Sequence, residues 1–432
     1  MEERRKKIEF DALVIGAGIA GGETALNIAN NGYKVLLVEK DHSIGGKMIL
    51  LSKVFPTLDC AACITTPKVS EIARHPNITV FTESEVTSIV KKTESLFIAK
   101  ITKNPRYVHV EDCTACQLCE KACPVSVRDE YQFGLVGRKA AYIPFSIANP
   151  KAAVIDLEQC TLCGACERVC PTHCIDFTME TECFELQVKT VVLATGFQLF
   201  DPLKIPRFGY GKYKNVVTSM QMEREIAPTR PYHTILRPGD GKIPDQIAYV
   251  LCTGSRDDSV GNPVCSQVCC MYSMKQAQLL MGALPMADIT IYYIDIRSFG
   301  KGFEEFYQQA KDMGVNFVKG KIGKISEKEN GNLMLRYEDI QEGILKEAEH
   351  DMVVLSVGML SNQSVHQIFD GEMLQFDSLN FIWQSDLLGS PAKTNIDGVF
   401  VAGTASGPMD IPDSILSAGS ASSEAISYLI QH

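Results

Sequence analysis

The stretch Phe10-Asp-Ala-Leu-Val-Ile15 is a short, almost unbroken apolar run that stops at Gly16. Such a run suits a strand buried on both faces of a parallel sheet. Apolar positions then recur at helical spacing over about 19–30, Gly32 marks a stop, and 33–38 forms a second apolar run. The opening therefore predicts strand, helix, strand. Residues 77–104 alternate weakly and predict further strands. From about 105 to 183 the pattern changes: cysteine, proline and charge crowd together, which predicts an insertion. Strand signals resume at 188–193 and end in Ala194-Thr195-Gly196. Residues 228–245 are rich in proline and glycine and predict a linker. A second series follows, with strands at 247–251, 289–294, 315–318 and 353–357 and helices near 273–281 and 303–313. A strand at 398–402 leads into a last helix over 414–430. Strand and helix alternate through most of the chain, so the fold class is α/β.

A length of 432 residues predicts two or three domains, and 45% apolar residues predict folded cores. A net charge of −10 leaves no basic footprint for nucleic acid. No uncharged run reaches the roughly 20 residues of a membrane-spanning helix. The first residues, MEERRKKIEF, have no apolar segment behind their charges, so no secretory signal is expected and the location expected is cytoplasmic. The outlier is 16 cysteines, which in so long a chain point away from a disulfide framework. Their spacing decides their chemistry.

Gly16-x-Gly18-x-x-Gly21 follows a strand and opens a helix, the context a dinucleotide fingerprint needs. Gly16 permits the tight turn, Gly18 lets backbone approach a pyrophosphate, and Gly21 lets helix and sheet pack closely. The helix N-terminus offers free N–H groups to the anion. Glu39 ends the second strand, placed to accept hydrogen bonds from a ribose, with Lys40 beside it. The motif alone does not separate FAD from NAD. Gly45-Gly46, the Ala194-Thr195-Gly196 strand end and Gly403-Thr404 before the last helix, taken in this order, favour FAD. Thr404 stands where flavoproteins usually have Asp. In the second α/β series, the strand that would carry a nicotinamide fingerprint ends in Cys252-Thr-Gly254 with no glycine motif.

Two stretches match the bacterial ferredoxin pattern: Cys113-x2-Cys116-x2-Cys119-x3-Cys123-Pro and Cys160-x2-Cys163-x2-Cys166-x3-Cys170-Pro. Three close thiolates wrap one [4Fe–4S] cube and the fourth crosses to the other cube. One cluster is thus assigned to Cys113, Cys116, Cys119 and Cys170, the other to Cys160, Cys163, Cys166 and Cys123. Zinc is the competing chemistry, but two quartets each closed by Cys-Pro suit clusters better. Cys174 and Cys183 read as packing thiols. A third group, Cys252, Cys265, Cys269 and Cys270, suits a metal or cluster site, with buried free thiols as the alternative. Cys60 and Cys63 could form a redox dithiol, part of a shared ligand set, or packing contacts.

With these residues in hand, the chain resembles the heterodisulfide reductase A (HdrA-like) family of flavin-containing subunits. The resemblance rests on Gly16–Gly21, the run Phe55-Pro-Thr-Leu-Asp-Cys60-Ala-Ala-Cys63-Ile-Thr-Thr-Pro67-Lys68, both ferredoxin motifs and the segment CSQVCCMYSMK from Cys265 to Lys275. It extends to Asp295-Ile-Arg297-Ser-Phe-Gly300 and the C-terminal 403–417. It implies a thioredoxin-reductase-like flavoprotein with two dinucleotide-binding-type domains and an inserted two-cluster ferredoxin domain. The FAD domain would comprise 1–104, 184–235 and 386–432, the ferredoxin 105–183, and a second Rossmann-like domain 236–385. It also implies an additional [4Fe–4S] cluster on Cys252, Cys265, Cys269 and Cys270, and Lys275 near the flavin ring. Relative to archaeal members the chain reads as a short form without their extra N-terminal domain and C-terminal ferredoxin domain.

The function this implies is that of an FAD and iron–sulfur electron-transfer subunit, electron-bifurcating and dimeric within a larger complex. Its partners would be heterodisulfide-reductase B/C-like subunits, hydrogenase- or dehydrogenase-linked subunits, or aromatic-thioester reductase subunits. The competing readings are a self-contained NAD(P)H-dependent disulfide reductase using Cys60 and Cys63, and a scaffold that retains degenerate motifs.

Overall fold

The computed structural model describes residues 9–371 and 373–432. The chain divides into two compact units, the first built from residues up to 49, 63–197 and 361–432, the second from 50–62 and 198–360. The breaks fall at 197/198 and 360/361, where the sequence led us to expect 235/236 and 385/386.

In the first unit, strand Glu9–Ile15 lies between Val35–Val38 and Glu182–Leu193, all parallel, and Ile78–Phe81 extends the sheet. Strand Val399–Val401 pairs in parallel with the end of Glu182–Leu193. That strand spans 12 residues and does two jobs. Its last half pairs in parallel with Glu9–Ile15, and its first half pairs antiparallel with Leu96–Lys103, which pairs in turn with Ser84–Thr93. Small side chains let two helices share one core: Ala25 and Ala29 of Ile19–Asn30 meet Ala418, Ala421 and Ala425 of Ile411–Gln431. Helix Ala61–Arg74, not expected from the sequence, follows the segment at residue 60 despite Pro67 in its interior.

The cysteine-rich stretch forms its own small core within this unit. Two short helices, Leu118–Ala122 and Ala165–Val169, lie together, and two-stranded ribbons (Ser126–Arg128 with Gly137–Lys139, Ala141–Tyr142 with Val154–Ile155) complete it. Its interior holds Val108, Ala140, Ala153, Ile155 and Ile175 together with Cys119, Cys123, Cys166, Cys170 and Cys174.

The second unit carries a seven-stranded sheet. Five strands are parallel, in the order Val216–Thr218, Met352–Val357, Gln246–Thr253, Asp288–Tyr293, Asn316–Glu327. Strands Leu333–Asp339 and Ile344–His350 add an antiparallel meander that the sequence pattern did not lead us to expect. Helices Ser219–Ile226, Cys269–Ala283 and Phe303–Asp312 pack on one face. The expected linker at 228–245 lies inside this unit.

Candidate functional site

The glycine loop of the first unit is fixed by lack of space. A Cβ on Gly16 would stand 2.4 Å from the Ala194 carbonyl oxygen, and one on Gly21 would stand 1.8 Å from the Gly16 oxygen. The chain returns over this loop at Gly45, whose N–H donates to the Ala17 carbonyl at 2.8 Å. Gly46 then faces Gly18 so closely that a Cβ on Gly46 would be 2.7 Å from the Gly18 Cα. Helix Ile19–Asn30 begins at Gly18 with no side-chain cap and no acidic residue in its first turn, leaving its N–H groups and positive end free. A cavity opens there between Gly18, Ile19, Gly22 and Gly45 on one side and Thr65 and Lys68 on the other. Lys68 pairs with Glu23 at 2.6 Å. Thr65 and Lys68 lie in the run Phe55–Lys68 that carries the family resemblance, but that run did not by itself assign them to this site.

Glu39 is buried at the end of its strand, and its carboxylate accepts from Ala17 N–H at 2.8 Å and Asp41 N–H at 3.1 Å. Burial raises its pKa, with Asp41 adding to the effect and the two backbone donors opposing it. Lys40 next to it is exposed. Ala194 N–H donates to the Ile15 carbonyl, and Ala402 N–H to the Leu193 carbonyl, so the ends of three parallel strands meet. Gly403 is left-handed (φ 65°), and Thr404 lies beside Gly196, its Oγ1 3.9 Å from where a Gly196 Cβ would be. Thr195 Oγ1 is buried with no hydrogen-bond partner, while Asn362 Nδ2 holds the Thr195 carbonyl at 2.7 Å. Open helix N–H groups, glycines that keep backbone exposed, and an orphaned hydroxyl are what a bound dinucleotide requires, so these residues fit FAD.

In the ferredoxin stretch the two repeats fold alike. Ala115 and Gln117 are left-handed in the first, Leu162 and Gly164 in the second, so each Cys-x-x-Cys-x-x-Cys run turns twice before its short helix. One cavity is lined by Cys113, Cys116 and Cys119 of the first repeat together with Cys170 of the second. That is the crossing the spacing implies. In the other quartet, burial pushes the Cys166 thiol up, and Cys160 and Cys123 add to the shift as neighbouring thiols. Burial likewise pushes Cys119 up to about 11. Ala153 N–H points at Cys113 Sγ at 3.5 Å and Leu162 N–H at Cys160 Sγ at 3.3 Å, donors suited to stabilising bound thiolates. The Ala153 loop is held by buried Arg106, which donates to the Ala153 carbonyl at 3.0 Å and the Ala152 carbonyl at 3.3 Å. Among the described residues no three His, Cys, Asp or Glu side chains gather around a single-ion site. A cube presents a separate iron to each thiol and takes a wider ring. The residues present fit two clusters. Cys174 also lines the first cavity, while Cys183 is exposed.

The third cysteine group sits at the carboxyl end of the central strand of the second unit. Cys252 is left-handed (φ 57°) at the end of Gln246–Thr253, and Cys269 and Cys270 open helix Cys269–Ala283. That helix has no side-chain cap, so its positive end faces the thiols and favours thiolate. Gln267 is left-handed (φ 60°) and donates its N–H to Cys265 Sγ at 3.4 Å. This repeats the turn at Cys160 and Leu162, in which a left-handed residue two positions on donates to the thiol. The hydrogen bond with Cys269 draws the Cys252 thiol down to about 7, with burial opposing and Arg256 assisting. The four thiols fit an additional cluster by donor chemistry and by this shared turn.

Lys275 lies further along the same helix, buried. It pairs with Glu223 and donates to Ser52 Oγ at 3.3 Å and the Lys53 carbonyl at 3.0 Å. Glu223 also accepts from Gln276 Nε2 at 2.6 Å and Ser52 N–H at 2.8 Å. Burial works against the Glu223 carboxylate, but Lys275 and these donors outweigh it and hold its pKa below the usual range. Burial lowers Lys275, and Glu223 counters it. Sequence reasoning missed Glu223; the capping box of Thr218 and Gln221 that starts its helix was the available signal. Cys60 belongs to the second unit's segment 50–62 and Cys63 to the first unit.

Fold and site together define a flavoprotein-type α/β chain with a dicluster iron–sulfur insertion. Residues 10–112 match the pyridine nucleotide-disulphide oxidoreductase family and residues 100–175 the 4Fe-4S dicluster domain. The fold is that of thioredoxin reductases: the Lactococcus lactis enzyme aligns with a TM-score of 0.55 at 14% identity, covering 98% of this chain and 100% of that one. The T. acidophilum enzyme aligns with a TM-score of 0.54, also at 14% identity, covering 98% and 99%. Over nearly its whole length the chain is similar to heterodisulfide reductase A subunits. It is 44% identical to the CoB–CoM heterodisulfide reductase iron-sulfur A 2 subunit of Methanopyrus kandleri over 97% of this chain and 64% of that protein. It is also 44% identical to the H2/formate:CoB–CoM heterodisulfide,ferredoxin reductase A subunit of Methanococcus maripaludis over 98% of this chain and 66% of that one. The chain thus spans just under two thirds of these relatives' length. Among the described residues no helix is long and apolar enough to cross a membrane.

Proposed function

We propose that this chain is the FAD and iron–sulfur electron-transfer subunit of a larger oxidoreductase complex. The observation that carries the reading is the cavity in which three thiols of one ferredoxin repeat meet the fourth from the other. When bound, FAD exchanges electron pairs and each cluster exchanges single electrons, at potentials set by charge, hydrogen bonds and exposure. The chain's own residues do the rest. The Gly16–Gly21 loop and Gly46 bind the pyrophosphate, Glu39 takes the ribose, and Thr195, Gly403 and Thr404 orient the remainder of the cofactor. Backbone N–H groups of Ala153, Leu162 and Gln267 hold negative charge on cluster thiolates. Lys275, paired with Glu223, is the residue we assign to the flavin on the family resemblance. We assign FAD to the glycine loop and strand ends of the first unit, two clusters to the cysteine-rich stretch 105–183 of that unit, and the additional cluster to the Cys252 group of the second unit.

We further propose that the electron pair is divided between two acceptors. The Methanococcus relative's name gives two, a heterodisulfide and ferredoxin, and a dicluster stretch plus a third thiol quartet would supply separate exits. Partners are other redox subunits. An anaerobic redox titration followed by paramagnetic resonance tests this: well-separated cluster potentials support division, and potentials confined to a narrow range leave plain electron transfer. Isolation of the native chain without oxygen should bring redox subunits with it; a chain that always purifies alone speaks against the role in a complex.

The self-contained NAD(P)H reductase fares worse. Where a nicotinamide pyrophosphate would need open backbone, Gly254 packs on Phe200, a Cβ there lying 2.1 Å from the ring. Asn262 and Ser266 tie the same loop down, Asn262 Nδ2 donating to the Gly254 carbonyl and Ser266 meeting the Ser255 hydroxyl. NADPH is therefore expected not to bleach the flavin of the isolated chain in stopped flow.

A further inference from the structure

The two ferredoxin repeats differ after their Cys-Pro. The first continues Cys123-Pro-Val-Ser-Val127, the second Cys170-Pro-Thr-His-Cys174. Cys174 is buried, 3% exposed, and its Sγ lies 3.5 Å from that of Cys170. Both line the cavity formed with Cys113, Cys116 and Cys119, so five cysteines surround a site whose cube takes four. The corresponding position in the other repeat, Val127, has no thiol to offer.

We propose that Cys174 is a reserve ligand of this cluster, able to replace Cys170 on the same iron. The exchange is balanced and involves no redox change. The iron–sulfur bond to Cys170 breaks, a new one forms to the Cys174 sulfur, and the proton released by Cys174 moves to the Cys170 thiolate across the direct contact between them. In the resting arrangement the Cys174 S–H donates to the Cys170 sulfur, so ligand and reserve share one proton. The 3.5 Å separation lets a side-chain rotation achieve the exchange, with the backbone held by the His109 N–H to Cys174 carbonyl bond at 2.7 Å. The inference rests on the cluster reading above and concerns only which thiol serves it.

The test uses the full chain, purified without oxygen, with iron content and paramagnetic resonance as readouts. Cys170→Ala should keep the iron content of the unmodified protein and show no three-iron signal. Cys170→Ala/Cys174→Ala should lose about one iron and gain that signal. Cys123→Ala, which has no reserve, should lose about one iron as a single variant. A three-iron signal in Cys170→Ala equal to that of Cys123→Ala would overturn the proposal and leave Cys174 as a hydrogen-bond donor or packing residue. Collapse of both ferredoxin clusters in Cys170→Ala, with Cys123→Ala retaining one, would overturn it too. An unmodified protein with no iron would instead sink the cluster reading itself.

Discussion

At Gly46 the backbone is left-handed (φ 56°), and a side chain would press on Gly18 at 2.7 Å. Gly46→Ala is expected to cost about 1–3 kcal/mol in strain and displaced backbone. Thermal melting should show the loss, and flavin retained after gel filtration should fall with it. The buried pair of Lys275 and Glu223 makes a second prediction. Lys275→Met leaves the Glu223 carboxylate uncompensated and should cost about 3–5 kcal/mol, whereas adding Glu223→Gln should recover a large part. Denaturant titration of both variants checks this, and equal destabilisation by the two would refute the pairing argument. Glu225 gives a pH dependence. Burial raises its pKa to about 7 from an ordinary 4.5, and its Oε1 is buried without a partner. The folded state then holds a proton that the unfolded chain has released, so stability should be full below about pH 4.5 and fall as pH rises towards 7. The shift corresponds to about 3 kcal/mol, and Glu225→Gln should flatten the pH profile.

Elements were legible where one physical signal dominated. The unbroken apolar run before Gly16 and the helical spacing after it gave strand Glu9–Ile15 and helix Ile19–Asn30 closely. Helix Ala61–Arg74 was hidden by β-branched residues and Pro67, each unfavourable to helix when read alone. The meander of Leu333–Asp339 and Ile344–His350 escaped because its residues are half polar, although Leu333, Leu335 and Tyr337 alternate inward in a period of two. Cysteine spacing pointed to a dicluster stretch, which the match of residues 100–175 to the 4Fe-4S dicluster domain supports. The spacing could not show that the Ala153 N–H serves Cys113 or that Arg106 braces the Ala153 loop, because those contacts depend on chain returns across 40 residues or more. Arg106→Met should strip three carbonyls (Ala153, Ala152 and His42) and the buried Glu83 carboxylate of this partner and cost about 3–5 kcal/mol. Iron content should drop alongside stability; a variant with full iron and unchanged melting would show that the loop needs no brace.

Across the whole molecule, the two α/β units end their parallel strands differently. In the first, the carboxyl ends are lined by glycine and small hydroxyl residues, with an uncapped helix left open for an anion. In the second, the matching position is taken by Cys252 and its companion thiols, and Gly254 is occupied by the Phe200 ring. A common architecture thus carries an open glycine loop at the strand ends of one unit and cysteines at those of the other. This contrast was half visible in the sequence, where the second glycine fingerprint was missing, but only packing explained why a glycine remained there.

The central claim, that cysteine quartets and a glycine-lined strand edge serve bound clusters and one flavin, is tested most directly by the composition of the oxygen-free protein. Three four-iron cubes per flavin predict about twelve irons and about twelve acid-labile sulfides for each FAD. A dithionite-reduced sample should also give the paramagnetic signals of reduced clusters. A protein that folds and melts cooperatively yet carries neither flavin nor iron would contradict the account.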